Sequence, residues 1–482
     1  MNERAAASGW LATAAVVLAA GALFALLHQR AMHGEDTRLF VLWLAAGPDG
    51  DVGALPRHFL FLPLLHAFGE LLRPLGASWF TVLWLAASLG SALGLGACHR
   101  AARTLVPAGA SALWLPLALL VVPTWFFFAT AAEIHGVFVL PMGLAWWALA
   151  RFVQRPNVAA AALVGLASGT AAALHFTGHF LLPTLWLAAL AQAPRTWRAL
   201  LGHGTAMACG HAAAVASIAL ALGLSPIVQF TAATSFAGSW TKVFAASEVP
   251  AVVWEELLAP YVPWSLLLVL ALRKPAARPW ALVALGALLL HAPLPVSILS
   301  HAGHLHEHGA YAMAFAVPAV LAALHALPRR AFVAALVVST ALALWLQAPR
   351  LVRAYDPEFV VGLQELRAQR GPVTLLVGSF SSDMEALTIG AEDQLYVDSD
   401  KIKAWVDYGG SVPLPQWFDA MVAALTAGSG PLFVCASARE RLQRYPNADI
   451  QALWAGHVER AYTVEEVRQR GLHGWLLLPR AK

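Results

Sequence analysis

The chain is poor in charge. Only 12% of its 482 residues are Asp, Glu, Lys or Arg, 59% are hydrophobic, and the mean hydropathy is +0.65. A soluble domain carries about a quarter charged residues, so most of this chain does not read as an ordinary water-soluble fold. Cysteine is scarce as well. The three cysteines, Cys98, Cys209 and Cys435, have no spacing that suggests a metal knuckle or a disulfide framework. There is no G-x-G-x-x-G and no P-loop, which excludes the common nucleotide-phosphate cradles. No repeat of solenoid or propeller period occurs.

What the chain has is long apolar runs. They come in blocks of about 20 residues, enough to cross a hydrocarbon core of roughly 30 Å. Spans are expected near 9–28, 78–98, 109–128, 134–150, 158–174, 177–193, 199–223, 251–272, 279–298, 310–327 and 331–347. The fifth and sixth are short and close together, and read either as two helices or as one broken helix. The first is of spanning length. It is followed by His28, Gln29 and Arg30, which suit a retained helix better than a cleaved signal peptide.

Charge sets the expected topology. Loops on one side hold Arg4, Arg100, Arg103, Arg151, Arg155, Arg195, Arg198, Arg273, Lys274, Arg278, Arg329 and Arg330, with Glu3 as their acid. The other side holds Glu35, Asp36, Asp49, Asp51, Glu70, Glu133, Glu248 and Glu307. The positive-inside rule puts the N-terminus in the cytoplasm and the acidic loops outside, in a multi-pass inner (plasma) membrane protein. The net charge of +4 is then a topology signal. The basic residues form no aromatic-interleaved patch, so nucleic acid is not an expected partner.

Composition changes near Arg350. Residues 1–349 read as the membrane domain and 350–482 as a small α/β domain of roughly 130 residues, large enough for its own core. Strands are expected at Val373–Gly378, Gln394–Val397, Pro431–Cys435 and Gly474–Leu478. Helices are expected at Asp356–Arg370, 416–426 and 437–444. With an odd span count this domain is extracytoplasmic. Gly378-Ser379-Phe380-Ser381-Ser382, after the first strand, reads as a strand-to-helix turn before it reads as an anion cradle.

The acidic loops carry the candidate chemistry. Ionised groups near hydrocarbon are costly and usually functional. The first outer loop holds Glu35 and Asp36, then two amphipathic stretches, 36–43 and 56–68, suited to helices lying in the membrane interface. A carboxylate here, followed by interfacial helices, would hold a polar reaction centre against a lipid-borne substrate and could act there as a general base. Asp36 is the first candidate base, with Glu133 second or as orienting partner. Arg57, Lys242 and His308 are outer-side cation candidates for an anionic group of such a substrate. Bland readings stand beside these: a helix cap or Arg38 partner for Asp36, a His135 partner for Glu133, and headgroup snorkelling for Arg57 and Lys242.

The layout resembles the GT-C superfamily of polytopic glycosyltransferases, which use polyprenyl-phosphate-linked sugars, and most nearly its bacterial protein O-mannosyltransferase-like group. Asp36 fits the early acid of that group, and Pro56-Arg57-His58 through Pro63 its His/Pro segment. Ala132-Glu133-Ile134-His135-Gly136-Val137-Phe138 fits its Ala-Glu-aromatic motif. Leu174-His175-Phe176-Thr177-Gly178-His179 fits its His-His-x-Thr motif, and Glu307-His308-Gly309-Ala310-Tyr311 its late acid-and-Tyr segment. The group often has a second acid three residues after the first, where this chain has Leu39, so Glu35 is a candidate substitute. His306 and His308 stand where the group usually has Arg. The resemblance implies a GT-C-like bundle of about eleven transmembrane helices. It further implies transfer of a hexosyl or pentosyl group from a polyprenyl-phosphate donor, in contact with membrane lipid, to an extracytoplasmic acceptor. His58, His135, His175 and Tyr311 are its implied substrate contacts.

Two histidine features stay open. His301, His304, His306 and His308 read as a divalent-metal cluster, a phosphate- or sugar-touching loop, or a solvated loop. His175 and His179, four apart, read as a packed pair on one helical face or as two metal ligands. Two other classes compete with the enzyme: a non-catalytic glycosyltransferase-like scaffold, and a transporter. The transporter fits less well, because mid-span ionisable groups are few, no repeat is evident and the outer tail is large.

Overall fold

The computed structural model describes residues 3–30, 35–46, 58–192, 196–229, 250, 253–291, 308–352, 355–378, 381–391, 396–407, 412–427 and 430–480. The chain forms two compact units. One comprises Met1–Gln29, Gly47–Ala77 and Thr81–Val352. The other comprises Arg30–Ala46, Ser78–Phe80 and Arg353–Lys482.

The first unit is a helical membrane bundle. Its helices are α1 (Glu3–Leu26), α3 (Phe61–Leu72), α4 (Trp79–Leu105), α5 (Trp114–Leu120), α6 (Pro123–Thr130), α7 (Ile134–Gln154), α8 (Val158–Leu174), α9 (Gly178–Gln192) and α10 (Trp197–Ala221). They continue with α11 (Trp264–Leu272), α12 (Arg278–His291), α13 (Ala316–Ala326) and α14 (Arg329–Val352). Five are long and apolar enough to cross a bilayer, at Gly9–Leu26, Trp79–Leu105, Ile134–Gln154, Arg198–Ala221 and Arg329–Pro349. Shorter apolar helices occur at Val158–Leu174, Arg278–His291 and Ala312–Ala326. Large side chains such as Leu11, Leu18, Val337 and Trp345 are exposed on the outer faces. That pattern is costly in water and expected in lipid, where helices satisfy their own backbone. Inside, Phe127, Phe128, Trp146, Trp264, Trp280 and Phe315 are fully buried.

Within the described residues the expected spans are helical, but several are broken, and residues 251–252 and 292–298 of two of them lie outside the described residues. The span near 109–128 splits into α5 and α6 where Pro123, which cannot donate a backbone hydrogen bond, starts the second piece. A π-helical turn (Val253–Leu258) and a 3-10 turn (Ala259–Tyr261) lead into α11, and a 3-10 turn (His308–Phe315) leads into α13. The fifth and sixth spans are two helices, α8 and α9, joined by His175-Phe176-Thr177. Small residues let α8 and α10 touch backbone to backbone: a Cβ added at Gly165 would strike the Met207 carbonyl. Close approach through small residues is the usual means of helix association in lipid.

The second unit is an α/β layer structure. Its five-stranded sheet has the order β2-β1-β3-β5-β4, with β1 (Thr374–Val377), β2 (Tyr396–Asp398), β3 (Leu432–Cys435), β4 (Tyr462–Gln469) and β5 (Leu472–Pro479). β1 pairs parallel with β2 and β3, whereas β5 runs antiparallel to β3 and β4. Alternate residues face opposite sides. Leu376, Val434 and Leu477 pack on α18 (Leu414–Thr426) through Phe418 and Val422. Leu375, Val377, Phe433 and Leu476 pack on α15 (Pro357–Arg370) and α16 (Ser382–Gly390) through Phe359, Leu363 and Leu387. Both faces are therefore covered, which explains the continuous apolar strands. Two further helices, α17 (Asp400–Asp407) and α19 (Ala436–Arg444), follow β2 and β3.

The helix α2 (Glu35–Ala46) belongs to this second unit. It forms where the sequence places an amphipathic helix. Its inner side, however, is built into the unit rather than simply resting on a membrane interface. Thr37, Arg38, Phe40, Val41 and Leu44 are buried, and α2 packs on α16. Arg38 pairs with Asp398 at 3.2 Å, both nearly buried, and lies over the Tyr396 ring at 5.8 Å.

Candidate functional site

Within the bundle, three loop segments meet around a group of histidines. The first is the N-terminal turn of α7. Glu133 is its N-cap, in extended conformation (φ −152°, ψ 156°), and is 4% exposed. A carboxylate at a helix N-terminus is favoured by the helix dipole. This turn is held from α4, where the Ser88 hydroxyl donates to the Ala129 carbonyl at 2.8 Å and Ser91 to Gly136 at 3.0 Å. It is held also from the end of α1, where the Gln29 backbone N–H donates to the Thr130 carbonyl at 2.8 Å.

His135, the second residue of α7, meets the Phe128 ring edge-on at 4.7 Å and the His175 ring at 4.7 Å. His175 ends α8 as its C-cap, with its backbone N–H donating to Ala171 at 2.8 Å. His58 reaches the same place from the segment that precedes α3 and stacks on His175 at 4.5 Å. Its segment is fixed by the Leu60 N–H donating to the Ala173 carbonyl at 3.1 Å. His135 and His175 are buried, and so is Thr177.

One proton position follows from this geometry. The Thr177 backbone N–H donates to His175 Nδ1 at 3.3 Å, and the Thr177 hydroxyl lies 2.7 Å from the same nitrogen. Nδ1 is therefore an acceptor, and neutral His175 carries its proton on Nε2. That nitrogen is then a hydrogen-bond donor.

Of the residues singled out in the sequence, His58, Glu133, His135 and His175 thus lie on converging segments of one unit. Glu35 and Asp36 open α2 in the other unit, and their side chains fall outside the described residues. Arg57 and Lys242 also fall outside, as do His301, His304 and His306. His308 and Tyr311 lie on the 3-10 turn before α13, and their side chains are not among those described. Among the described residues no group of three His, Cys, Asp or Glu side chains is placed to hold a metal ion.

His175 and His179 do not share a helical face. The chain turns between them, so His175 joins the cluster just described and His179 enters a second polar chain. Gln229 Nε2 donates to the Ala172 carbonyl at 2.5 Å, which turns Oε1 toward His179 Nε2 at 2.9 Å. His179 Nε2 must then carry a proton. With His179 neutral, its Nδ1 accepts from His211 Nε2 at 2.8 Å, and His211 Nδ1 faces the Ser168 hydroxyl at 2.9 Å. Sequence reading missed Ser168, His211 and Gln229. The only signal for them was an isolated polar residue in or beside an Ala-rich helix.

No family model matches the chain, and no curated protein matches it. Solved structures do. The chain is similar to ArnT from Cupriavidus metallidurans in the apo state, with 16% identity and a TM-score of 0.57 over 98% of each chain. It is equally similar to ArnT bound to undecaprenyl phosphate, with 15% identity, a TM-score of 0.57 and the same coverage. This chain has the GT-C fold. The arabinofuranosyltransferase AftD from mycobacteria gives a TM-score of 0.50 at 16% identity, over 96% of this chain and 40% of AftD. At such identities the likeness is one of fold.

Proposed function

We propose that the chain is an integral-membrane glycosyltransferase that moves a sugar from a polyprenyl-phosphate donor to an extracytoplasmic acceptor. The observation that carries this reading is the convergence of His58, Glu133, His135 and His175 from three loops in a chain with the GT-C fold. Support comes from ArnT, whose structure holds undecaprenyl phosphate, and from AftD, an arabinofuranosyltransferase. In the proposed reaction the acceptor oxygen bonds to the anomeric carbon as the bond from that carbon to the phosphate oxygen breaks. The lipid phosphate leaves with the bonding electron pair, and the hydroxyl proton passes to a carboxylate.

Asp36 is the proposed base, with Glu35 beside it in sequence and Glu133 orienting the acceptor. Arg57, Lys242 and His308 are assigned to the phosphate. His175 Nε2–H donates to a sugar or phosphate oxygen, and His58, His135 and Tyr311 complete the substrate contacts. The arginine-rich loops face the cytoplasm in this reading. The bundle binds donor, while residues 350–482 receive the acceptor.

The test is transfer in proteoliposomes from a panel of labelled polyprenyl-phosphate pentoses and hexoses to envelope acceptors. Asp36→Asn is expected to lose about 10²–10⁴-fold in turnover. Glu133→Gln should lose less, with insertion and melting unchanged in both variants. Near wild-type turnover in Asp36→Asn would remove it as the base. Absence of transfer from every donor by the wild type would count against the enzyme reading itself.

A further inference from the structure

The arginine-bearing end of the bundle has a cavity of about 380 Å³ at the starts of α5 and α14. Its wall is the 109–111 turn, Trp114, Leu324, Arg329 and Phe332. Helices α5, α13 and α14 line it, and α4 leads into the 109–111 turn. None of them contains an Asp or Glu, and neither do the connectors 106–113 and 327–328. The ionisable groups at these helix ends are Arg100 and Arg103 on α4, His325 on α13, and Arg329 and Arg330 on α14, of which Arg329 lines the cavity. His325 is already engaged, its Nε2 lying 3.0 Å from the Leu105 carbonyl.

Arg329 is held but not saturated. Its guanidinium lies over the Trp114 ring, 5.8 Å from the centroid. Trp114 is itself braced edge-on by Phe332 at 5.8 Å. A cation stacked on an indole loses little of its capacity to donate in its own plane. Arg329 makes no hydrogen bond or ion pair among the described residues. The Ser111 oxygen accepts from the Leu113 N–H at 3.3 Å, which leaves the Ser111 hydroxyl proton to be donated. The cavity lining therefore offers a planar cation and a hydroxyl together with Trp, Phe and Leu surface.

Its depth in the bilayer selects the ligand class. The cavity lies where apolar helices begin and end, and the ends of membrane-spanning helices meet the headgroup layer, where Trp is enriched. A soluble anion would use the cation and leave the apolar wall bare. A phospholipid uses both, since its phosphate is followed by glycerol and methylenes. Basic pockets between transmembrane helices suit anionic headgroups for this reason.

We propose that this cavity binds the headgroup of an anionic phospholipid. Arg329 and Ser111 meet the phosphate, and Trp114 and Phe332 pack on the glycerol and first methylenes. The site is separate from the histidine cluster and does not depend on the glycosyltransferase reading, only on the chain being a membrane protein.

Native mass spectrometry of the full chain in a neutral detergent tests it, with phosphatidylglycerol, phosphatidylcholine and inorganic phosphate as probes. Phosphatidylglycerol should bind about 5–10-fold tighter than phosphatidylcholine, and Arg329→Gln should abolish that preference. Trp114→Leu should weaken phosphatidylglycerol binding about threefold. Arg155→Gln, which removes an exposed arginine at the end of α7, should leave it unchanged. Arg329→Lys keeps the charge and covers the case in which the Gln variant fails to fold. It should lose about threefold, because an ammonium lacks the flat fork.

Retained preference in Arg329→Gln, or wild-type affinity in Arg329→Lys, would overturn the clamp. An equal loss in Arg155→Gln would show general surface attraction in place of a site. Competition by inorganic phosphate at the same concentration as the lipid would make it a soluble-anion site and contradict the proposal.

Discussion

Asp383 occupies the place where an anion was conceivable. The strand-to-helix segment 378–382 joins β1 to α16, and the helix start is capped from within, Ser381 accepting from the Met384 N–H at 3.2 Å. Ser437, at the start of α19, accepts from the Gly378 N–H at 3.1 Å and donates to Asp383 Oδ2 at 2.5 Å. The protein's own carboxylate thus lies beside both helix starts, which supports the turn reading over the cradle. Burial raises the Asp383 pKa from its ordinary value, the Ser437 hydroxyl lowers it, and Glu440 and Asp356 raise it further. A carboxyl that holds its proton more tightly when folded stabilises the fold at acid pH. That contribution is complete below the unfolded pKa and is lost as pH rises through the folded one. At neutral pH Asp383 is therefore a burden on the second unit. Asp383→Asn is expected to melt no lower than wild type at pH 7 and to lose that relative advantage as the pH approaches 4. Scanning calorimetry of the full chain across that range measures it. A variant that melts lower at pH 7 than at pH 4, relative to wild type, would mean that the Ser437 bond outweighs the burial cost.

At the scale of elements, α2 is where sequence and structure part. Its helical period was legible, because Phe40, Val41 and Leu44 repeat on one side. Its partner was not, because nothing local in the sequence connects Arg38 with Asp398, 360 positions later. Breaking a buried pair by removing one charge leaves the other uncompensated. Arg38→Ala is expected to destabilise the second unit by about 3–5 kcal/mol, and Arg38→Met with Asp398→Leu to restore most of that. Chemical denaturation of the single and double variants separates the two, and a single variant as stable as wild type would mean that Arg38 does not hold α2. The same limit explains other elements. Apolar runs made the bundle helices, β1 and β3 readable, since a strand covered on both faces is continuous hydrophobic sequence. β4 was missed because it is an edge strand carrying Glu465, Glu466 and Arg468, and charged edges read as surface. Gly471, at φ 71° in its turn onto β5, was the available signal. In the candidate site, motif order brought Glu133, His135 and His175 into view. The turn that separates His175 from His179 was hidden, because spacing alone cannot tell one helix from two.

For the whole molecule, the placement of α2 changes what the C-terminal residues do. They supply an acceptor-side surface in the proposed function, and they also complete the core into which α2 is packed. A chain ending after Val352 would keep α2 but lose Asp398, Tyr396 and α16, its partners. Buried Phe40, Val41 and Leu44 would then face solvent, and Arg38 would lose its counter-ion. Glu35 and Asp36, at the first turn of that helix, would lose their fixed support. The histidine cluster of His58, His135 and His175 is made wholly by the bundle and keeps its partners. The truncated protein is therefore expected to bind polyprenyl phosphate within about threefold of the full chain, because its lipid-facing surface is unchanged. Transfer is expected to fall by about 10²-fold or more, the loss typical of a displaced catalytic base. Binding by native mass spectrometry and transfer in proteoliposomes report the two separately, with circular dichroism to confirm that the helices persist. Transfer at the full-chain rate would remove α2 from the mechanism. Loss of polyprenyl-phosphate binding in a bundle that still melts cooperatively would move part of the donor site into residues 353–482.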